Sequence, residues 1–254
     1  MPHAFAGFSG GAKIILPGIC SFETTQAFHK LGIQFKMDQK NKAAGLGVIE
    51  DNQLRFNMEE AAEMVGLDIK IDTLMNSYGE TVAVYAGSLK EAYLPGVKEA
   101  QTHYDTPLAI DKDIVIANSF AKVAECESGL EIAFPSVKKS GGDIVLIGNA
   151  PEGHVAHYLG GPWGKKKHSN FQMQCGLASN VKRLIIYNEY PDLTIYGYFA
   201  NPEKVAIITK WDEVLALLGA SHKGNVKVGV YPNSDIQYSV NSPGSNVLNF
   251  IAGD

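Results

Sequence analysis

The chain has 254 residues, of which 45% are hydrophobic, and a formal net charge of −5 at pH 7. A chain of this length and composition can bury a substantial core in one large domain or two small ones. Its charges are interspersed and form no basic patch with interleaved aromatic residues, so we expect no nucleic-acid partner.

The three cysteines, Cys20, Cys126 and Cys175, are odd in number, and no two are close enough in sequence to form a metal-binding motif. This usage predicts a reducing, cytoplasmic setting. No signal peptide is evident, and no apolar run approaches the ~20 residues that a membrane-spanning helix needs. We therefore expect a soluble cytoplasmic protein with no membrane partner.

The chain opens with a glycine-rich segment that carries its most informative chemistry. Gly7, Gly10 and Gly11 precede Lys13, and glycine allows the backbone to approach a bulky ligand closely. Lys13 lies in the apolar run 12–16, where desolvation would favour its neutral, nucleophilic form. The alternative is an ordinary lysine whose aliphatic stem packs on the protein while its ammonium group reaches solvent.

A helix is predicted from Ser21 to about Leu31, with Ser21 as its N-cap and Gly32 as its terminating residue. His29 shares one face of that helix with Phe22. A histidine on a buried face is more often a hydrogen-bonded core residue than a ligand. Here it follows a glycine-rich loop and a shielded lysine, which favours a role in binding.

The rest of the first 106 residues is predicted to be mixed α/β. The polar, glycine-punctuated segment 34–47 reads as a loop, and Asn57 is expected to cap a helix that Gly66 ends. The further predicted elements are a helix over 58–65, strands over 67–72 and 81–86, and a helix that Ser88 caps and that runs to about Tyr104.

A second unit is predicted to begin after Pro107. Short apolar runs that alternate with helix-like sequence indicate a βαβ unit with a parallel, Rossmann-like sheet. The predicted strands are 113–117, 143–148, 182–187 and 226–231, and the predicted helices are 125–139, 202–208 and 212–218. In the tail from residue 233 onward, the sequence predicts little structure apart from 247–251. The expected fold class is α/β, with domains at 1–106 and 107–254.

Ligands of open α/β sheets bind beyond the carboxyl ends of the strands. In the second unit those ends carry Asn118-Ser119, the segment 149–154 and Asn188-Glu189. His154 and His157 stand three residues apart, but a metal site would need a third ligand that the sequence does not identify. Ordinary loop histidines are the alternative interpretation.

The segment 7–11 also fits Gly-x-Ser-x-Gly, the nucleophile elbow of α/β-hydrolases, with Ser9 as the nucleophile. That motif requires a strand that leads into the turn. Only six residues precede Gly7, too few for such a strand with partners in a sheet. A serine hydrolase is therefore the weaker hypothesis.

The opening residues resemble the signature of the nickel-pincer lactate racemase family. The spacings agree, with ten residues from His3 to Lys13 and sixteen from Lys13 to His29. The residues that carry the resemblance are His3, Gly7-Phe8-Ser9-Gly10-Gly11, Lys13, Pro17-Gly18 and His29, with further similarity at Glu59-Glu60-Ala61-Ala62, Gly66-Leu67-Asp68 and Ala86-Gly87.

The resemblance implies a role for each of these residues. His29 would be the protein's nickel ligand, and His3 would be one of two histidines that exchange a proton with the substrate. Lys13 would be the covalent anchor of a nickel-pincer nucleotide, a pyridinium mononucleotide that binds nickel. The cofactor-binding residues would be Lys13, Ser9, Gly10 and Gly11.

By the same resemblance the chain would be a racemase or epimerase of a small 2-hydroxy acid that acts by proton-coupled hydride transfer. Family members are longer, and the chain resembles their middle and C-terminal part. We therefore expect an N-terminal domain or partner chain to supply the second histidine, with 1–106 as the rear part of the cofactor-binding domain. The alternative is a non-catalytic homologue that binds cofactor or a partner.

One departure from the family pattern concerns the substrate. When 116–118 and Lys122 are aligned with the family, Ser128 and Glu131 stand where lactate racemases carry a Gln-x-x-Lys pair. A carboxylate in place of the amine would repel the anion of a 2-hydroxy acid. The sequence therefore predicts that this chain alone does not racemise lactate.

Overall fold

The computed structural model describes residues 1–37, 45–155, 157–159, 162–168, 173–190, 192–241 and 249–252. These residues form two compact units, of which the first covers Met1–Thr106 and the second begins at Pro107. Both units contain helices and strands, and the second contains a parallel five-stranded sheet. The predicted α/β fold class is confirmed.

The first unit combines two short antiparallel strand pairs with three helices. A 3-10 helix over Gly11–Ile14 and an irregular turn over Ile15–Ile19 connect the first strand pair to the first helix. The elements are β1 (Pro2–His3), β2 (Gly7–Phe8), α1 (Phe22–Met37), α2 (Gln53–Met64), β3 (Lys70–Met75), β4 (Thr81–Gly87) and α3 (Leu89–His103).

Capping explains where two of these helices begin. Glu91 accepts a hydrogen bond from the backbone N–H of Ser88 at 3.0 Å, so the predicted start of α3 is confirmed. The predicted cap of α2 at Asn57 is wrong, because the side chain of Asn52 accepts from the N–H of Arg55 at 3.2 Å instead. The buried Asn52 amide also donates to backbone carbonyls outside the helix, and this fixes the earlier start.

The core of the first unit lies between α2 and the opening segment. Small and aliphatic side chains from both sides meet there with almost no exposed surface, which lets the backbone of the opening segment approach the helix closely. The buried members are Ala6, Ala12, Ile15, Leu16, Met58 and Ala62. Ala12 and Ile15, on either side of Lys13 and Ile14, are therefore held in place by packing.

The second unit is organised on a parallel sheet of five strands, and two further strands pair separately in antiparallel fashion. The elements are β5 (Ile114–Asn118), α4 (Leu130–Ala133), β6 (Gly142–Ile147), α5 (Pro162–Lys166), β7 (Met173–Gly176), β8 (Val181–Tyr187), β9 (Val205–Ile208), α6 (Trp211–Ser221), β10 (Val228–Tyr231) and β11 (Asn249–Ala252). The strand order of the parallel sheet is β10-β5-β6-β8-β9, and β7 pairs with β11. The interior strands β6 and β8 carry apolar runs at 144–147 and 184–186, as expected for a sheet that is buried on both faces.

Two predicted helices of the second unit are wrong in part. The segment 125–139 is broken into 3-10 turns over Val123–Gly129 and Phe134–Ser136 on either side of the short α4. α4 ends before Pro135, because proline cannot continue a helix. The segment 202–208 forms a single 3-10 turn over Pro202–Lys204 and then β9, whose β-branched residues pair with β8.

The remaining predicted elements differ at their ends. Strand 67–72 begins later, as β3, and α1 extends beyond Leu31 to Met37. Residues 38–44 of the predicted loop at 34–47 lie outside the described residues, and so do residues 242–248 of the predicted tail. In the described part of the chain, no helix has the length and apolar character needed to cross a membrane.

Candidate functional site

The two histidines and the lysine of the opening motif line one cavity of the first unit. His3 comes from the end of β1, Lys13 from the 3-10 helix and His29 from the third turn of α1. The cavity is small, with a volume of about 10 Å³, and each of the three residues is half-buried. Apolar groups form the rest of its wall, namely Phe5, Pro17, Phe28, Gly32, Leu54 and Met58.

His29 is held in the form that binds metals. Its Nδ1 lies 2.8 Å from the carbonyl oxygen of Thr25, to which it donates, so the lone pair of the neutral ring is on Nε2. Burial lowers the pKa of His29, and the charge of Lys13 lowers it further, against the opposing effect of the Thr25 carbonyl. A neutral imidazole whose other ring nitrogen donates to a backbone carbonyl is the usual arrangement of a metal-bound histidine.

His3 is held as the opposite tautomer. Its Nδ1 accepts hydrogen bonds from the backbone N–H groups of Phe5 at 3.2 Å and Ala6 at 3.1 Å. The neutral ring therefore carries its proton on Nε2, and that nitrogen is a hydrogen-bond donor. Nε2 could accept a proton only after the ring's own proton had moved to Nδ1, and Nδ1 would then lose both backbone hydrogen bonds.

The glycines before Lys13 are required by the protein's own packing. Gly10 and Gly11 have φ values of 86° and 59°, in the left-handed region that favours glycine. A Cβ atom on Gly10 would stand 2.6 Å from Oδ1 of Asp72, and one on Gly11 would stand 2.1 Å from Nη2 of Arg55. The approach that these glycines permit is thus made by Asp72 and Arg55.

Ser9 and Gly10 also border a second cavity of about 230 Å³ in the first unit, which β3, β4 and α3 line on its other sides. The backbone N–H of Ser9 donates to the carbonyl of Met1 at 2.8 Å. The assignment of Ser9, Gly10 and Gly11 as cofactor-binding residues stays a prediction.

Sequence reasoning missed Arg55, the largest of the fully buried side chains. Its guanidinium lies 3.7 Å from the centre of the Tyr93 ring, and its Nε lies 3.7 Å from Oε1 of Glu59. Burial lowers the pKa of Arg55, whereas Tyr93, Glu59 and Asp72 oppose that shift. The one available signal was an arginine between Leu54 and Met58 on a helix face that is otherwise apolar.

The other candidate residues belong to the second unit. The side chain of His154 is buried, with its Nε2 at 2.9 Å from the Gly148 carbonyl and its Nδ1 at 3.9 Å from Asp192, as expected of a structural histidine. Glu131 is buried on α4, and Lys122 Nζ pairs with Glu125 at 3.4 Å. Within the described ranges, no group of three or more His, Cys, Asp or Glu side chains could hold a metal ion.

Part of the chain matches known lactate racemases in sequence. Residues 1–42 match the family model described as the lactate racemase N-terminal domain. The chain is 32% identical over 158 residues to a lactate racemase from Thermoanaerobacterium thermosaccharolyticum, and 30% identical over 157 residues to one from Lactiplantibacillus plantarum. Each match covers 60% of this chain and 35% of the relative, so the matched segment spans about a third of the relatives' length.

Solved structures extend the likeness over nearly the whole chain. The lactate racemase apoprotein from T. thermosaccharolyticum superposes with a TM-score of 0.68 at 23% identity, over 94% of this chain and 60% of that one. A Thermotoga maritima protein superposes with a TM-score of 0.56 at 18% identity, over 92% of this chain and 63% of that one. The fold is therefore shared, and the resemblance to lactate racemases that the opening motif indicates is confirmed.

Proposed function

We propose that this chain, similar to lactate racemases in sequence and fold, takes part in the racemisation or epimerisation of a small 2-hydroxy acid. The observation that carries the proposal is the convergence of His3, Lys13 and His29 on one cavity of the first unit. The three residues come from separate elements, so their spacing in the sequence does not by itself bring them together. The tautomers of the two histidines differ, so His3 offers a hydrogen-bond donor and His29 offers a nitrogen lone pair.

The chemistry of these side chains fits a lysine-tethered nickel-pincer nucleotide. Lys13 supplies an amine for the covalent link, and the neutral His29 supplies an imidazole nitrogen for nickel, the kind of ligand that suits this metal. When bound, the nucleotide would supply reversible hydride acceptance at the substrate's α-carbon. The single histidine ligand accords with a metal held mainly by its organic cofactor.

His3 would act on the substrate's oxygen atoms. Its Nε2–H is a hydrogen-bond donor because Nδ1 accepts from the amides of Phe5 and Ala6. In this state His3 would orient a hydroxyl or carboxylate oxygen, and it would take up a proton only when those two bonds break. The apolar wall, including Phe28 and Leu54, would keep water from the reacting carbon.

A further polypeptide, either an N-terminal domain or a partner chain, would complete the site. The matched segment represents only 35% of the relatives' length. One face of the β3–β4 pair also carries apolar side chains to solvent, with Ile71 and Val84 exposed by 63% and 62% and Ile69 and Val82 beside them. Contiguous apolar surface of this kind is typical of protein interfaces, and it supports the docking of that polypeptide.

The test is covalent loading at Lys13. The chain is produced together with nickel-pincer maturation enzymes, and its intact mass and its Lys13 peptide are measured by mass spectrometry. We expect an adduct on the wild type that Lys13→Ala abolishes, while Lys30→Ala, at an exposed position of α1, leaves it in place. An adduct that persists in Lys13→Ala would overturn the anchor assignment.

Racemisation is measured on the same loaded protein by following D- and L-lactate with chiral chromatography. We expect no equilibration by this chain alone, because Glu131 stands where the family carries a lysine and only His3 matches the pair of proton-exchanging histidines. An adduct without activity on any 2-hydroxy acid, even with the complementary polypeptide present, would favour the non-catalytic homologue.

A further inference from the structure

We propose that Arg55 and Asp72 are positioning residues that fix the Gly10–Gly11 turn and, through it, the backbone of Lys13. The inference deepens the proposed function and rests on it for the role of Lys13. Neither residue lines the cavity that Lys13 shares with His3 and His29.

Asp72 holds the turn from the side of β3. Both of its carboxylate oxygens lie 3.1 Å from the backbone N–H of Gly11, which donates to them. Lys70 Nζ donates to the same carboxylate at 2.7 Å, and both side chains are largely buried. Hydrogen bonds to a charged acceptor are stronger than neutral ones, so Asp72 restrains the Gly11 peptide firmly.

Arg55 holds the turn from the side of α2. Its Nη1 and Nη2 donate to the carbonyl oxygen of Gly10 at 3.3 Å and 3.4 Å. Only 1% of Arg55 is exposed, and the face of Tyr93 lies against its guanidinium. Tyr93 in turn donates to the carbonyl of Phe8 at 3.2 Å, just before the turn. The buried guanidinium thus contacts the turn directly at Gly10 and, through Tyr93, at Phe8.

The carbonyl oxygen of Gly10 links Arg55 to the backbone of Lys13. The carbonyl oxygen of Gly10 accepts the Arg55 donors and also the backbone N–H of Lys13, at 3.3 Å. The turn that Arg55 and Asp72 restrain is therefore the one that starts the 3-10 helix on which Lys13 stands. Loss of either restraint would let the Lys13 side chain sample positions outside the cavity.

The experiment measures the exposure of Lys13 in the full-length, unloaded protein. A limiting amount of acetic anhydride is added at several pH values, and acetylation of Lys13 is quantified by peptide mass spectrometry. Lys210, whose side chain is 75% exposed, serves as the internal reference. The variants are Arg55→Lys, which keeps the charge but not the forked donor, and Asp72→Asn, which keeps an acceptor oxygen but not the charge.

We expect the acetylation rate of Lys13 relative to Lys210 to rise about tenfold in Arg55→Lys, the size expected for loss of a charge-assisted hydrogen bond, and less in Asp72→Asn. The matched control is Glu59→Gln, which also alters the surroundings of Arg55 but touches no atom of the turn in the contacts described above. All measurements are made well below the unfolding temperature of each variant, followed by circular dichroism. A residue with a merely structural role would lower that temperature and leave the relative rate unchanged.

Loading with the maturation enzymes provides the second readout. We expect the occupancy of the Lys13 adduct to fall in Arg55→Lys and Asp72→Asn and to be retained in Glu59→Gln. The inference would be overturned if a variant that folds, Arg55→Lys or Asp72→Asn, acetylates Lys13 at the same rate relative to Lys210 as the wild type does. A wild type that never acquires an adduct would refute the proposed function instead, and the acetylation rates would still decide whether Arg55 and Asp72 position Lys13.

Discussion

Replacing Glu127 with glutamine should remove a pH-dependent loss of stability from the second unit. Glu127 lies in the 3-10 segment Val123–Gly129, and burial raises the pKa of its carboxyl from 4.5 to about 8, with a smaller effect of Glu125 in the same direction. Because the folded pKa is raised, the folded state retains a proton that the unfolded state releases. The resulting stabilisation is complete below pH 4.5 and is lost as the pH rises through about 8.

The size of the effect follows from that shift. Each pH unit inside the window lowers the free energy of unfolding by at most about 1.4 kcal/mol, the energy that corresponds to one pKa unit. Water reaches part of the Glu127 side chain, which reduces the effect. We therefore expect a loss on the order of 2 kcal/mol between about pH 5 and about pH 8 in the wild type.

The assay is urea unfolding followed by tryptophan fluorescence. Both tryptophans, Trp163 and Trp211, lie in the second unit, so their emission reports on that unit alone. Glutamine keeps the size and neutrality of the protonated side chain, so wild type and Glu127→Gln should be about equally stable near pH 5. Near pH 8 the variant should be the more stable by on the order of 2 kcal/mol.

The control is Glu125→Gln, whose side chain is 48% exposed and pairs with Lys122. Exposed pairs contribute little, so this variant should differ from the wild type by less than about 1 kcal/mol at every pH. A stability difference between Glu127→Gln and the wild type that stays constant from acidic to alkaline pH would refute the reasoning.

Two further substitutions test the packing of the first unit by thermal and urea unfolding followed by circular dichroism. Gly11→Ala should lower the free energy of unfolding by on the order of 3 kcal/mol, because its Cβ would stand 2.1 Å from Arg55. Gly66→Ala, which has a similar φ of 69° but no neighbour within 4 Å, should cost only about 1 kcal/mol; equal costs would contradict the steric explanation. Asn52→Ala should cost about 2 kcal/mol, because it removes the cap of α2 and two buried hydrogen bonds, whereas Gln53→Ala at the exposed next position should be nearly neutral. If Asn52→Ala and Gln53→Ala lowered the free energy of unfolding equally, the hydrogen bonds of Asn52 would not be the cause.

Local signals account for the parts of the fold that the sequence predicts well. The start of α3 follows from Ser88 and Glu91, which interact within one helical turn, and the interior strands follow from uninterrupted apolar runs. β9 was misassigned because Val205–Ile208 is too short to show a period, and its strand conformation depends on pairing with the distant β8. The cap of α2 was misplaced because tertiary contacts of Asn52 override the local pattern at Asn57.

In the candidate site too, only the residues that are close in sequence could be predicted. The glycines, Lys13 and the two histidines lie within the first 29 residues, so their register could be read as one motif, and the structure brings the three side chains to one cavity. Asp72 lies 61 residues beyond Gly11, and Arg55 lies 45 beyond Gly10. No local pattern connects residues so far apart, and only the folded chain reveals that they hold the turn.

The strand order of the second unit also determines when its sheet becomes complete during synthesis. β5 is the first strand of the sheet to leave the ribosome, yet β10, its neighbour on one side, comes last of the five. The hydrogen bond from Lys227 N–H to Asp113, at the start of that pairing, joins residues 114 apart in the chain. Until Val228–Tyr231 has been made, one side of β5 has unpaired backbone groups that can pair with another nascent chain. Slower elongation over this unit should therefore lengthen the period in which β5 is open to aggregation and to chaperones.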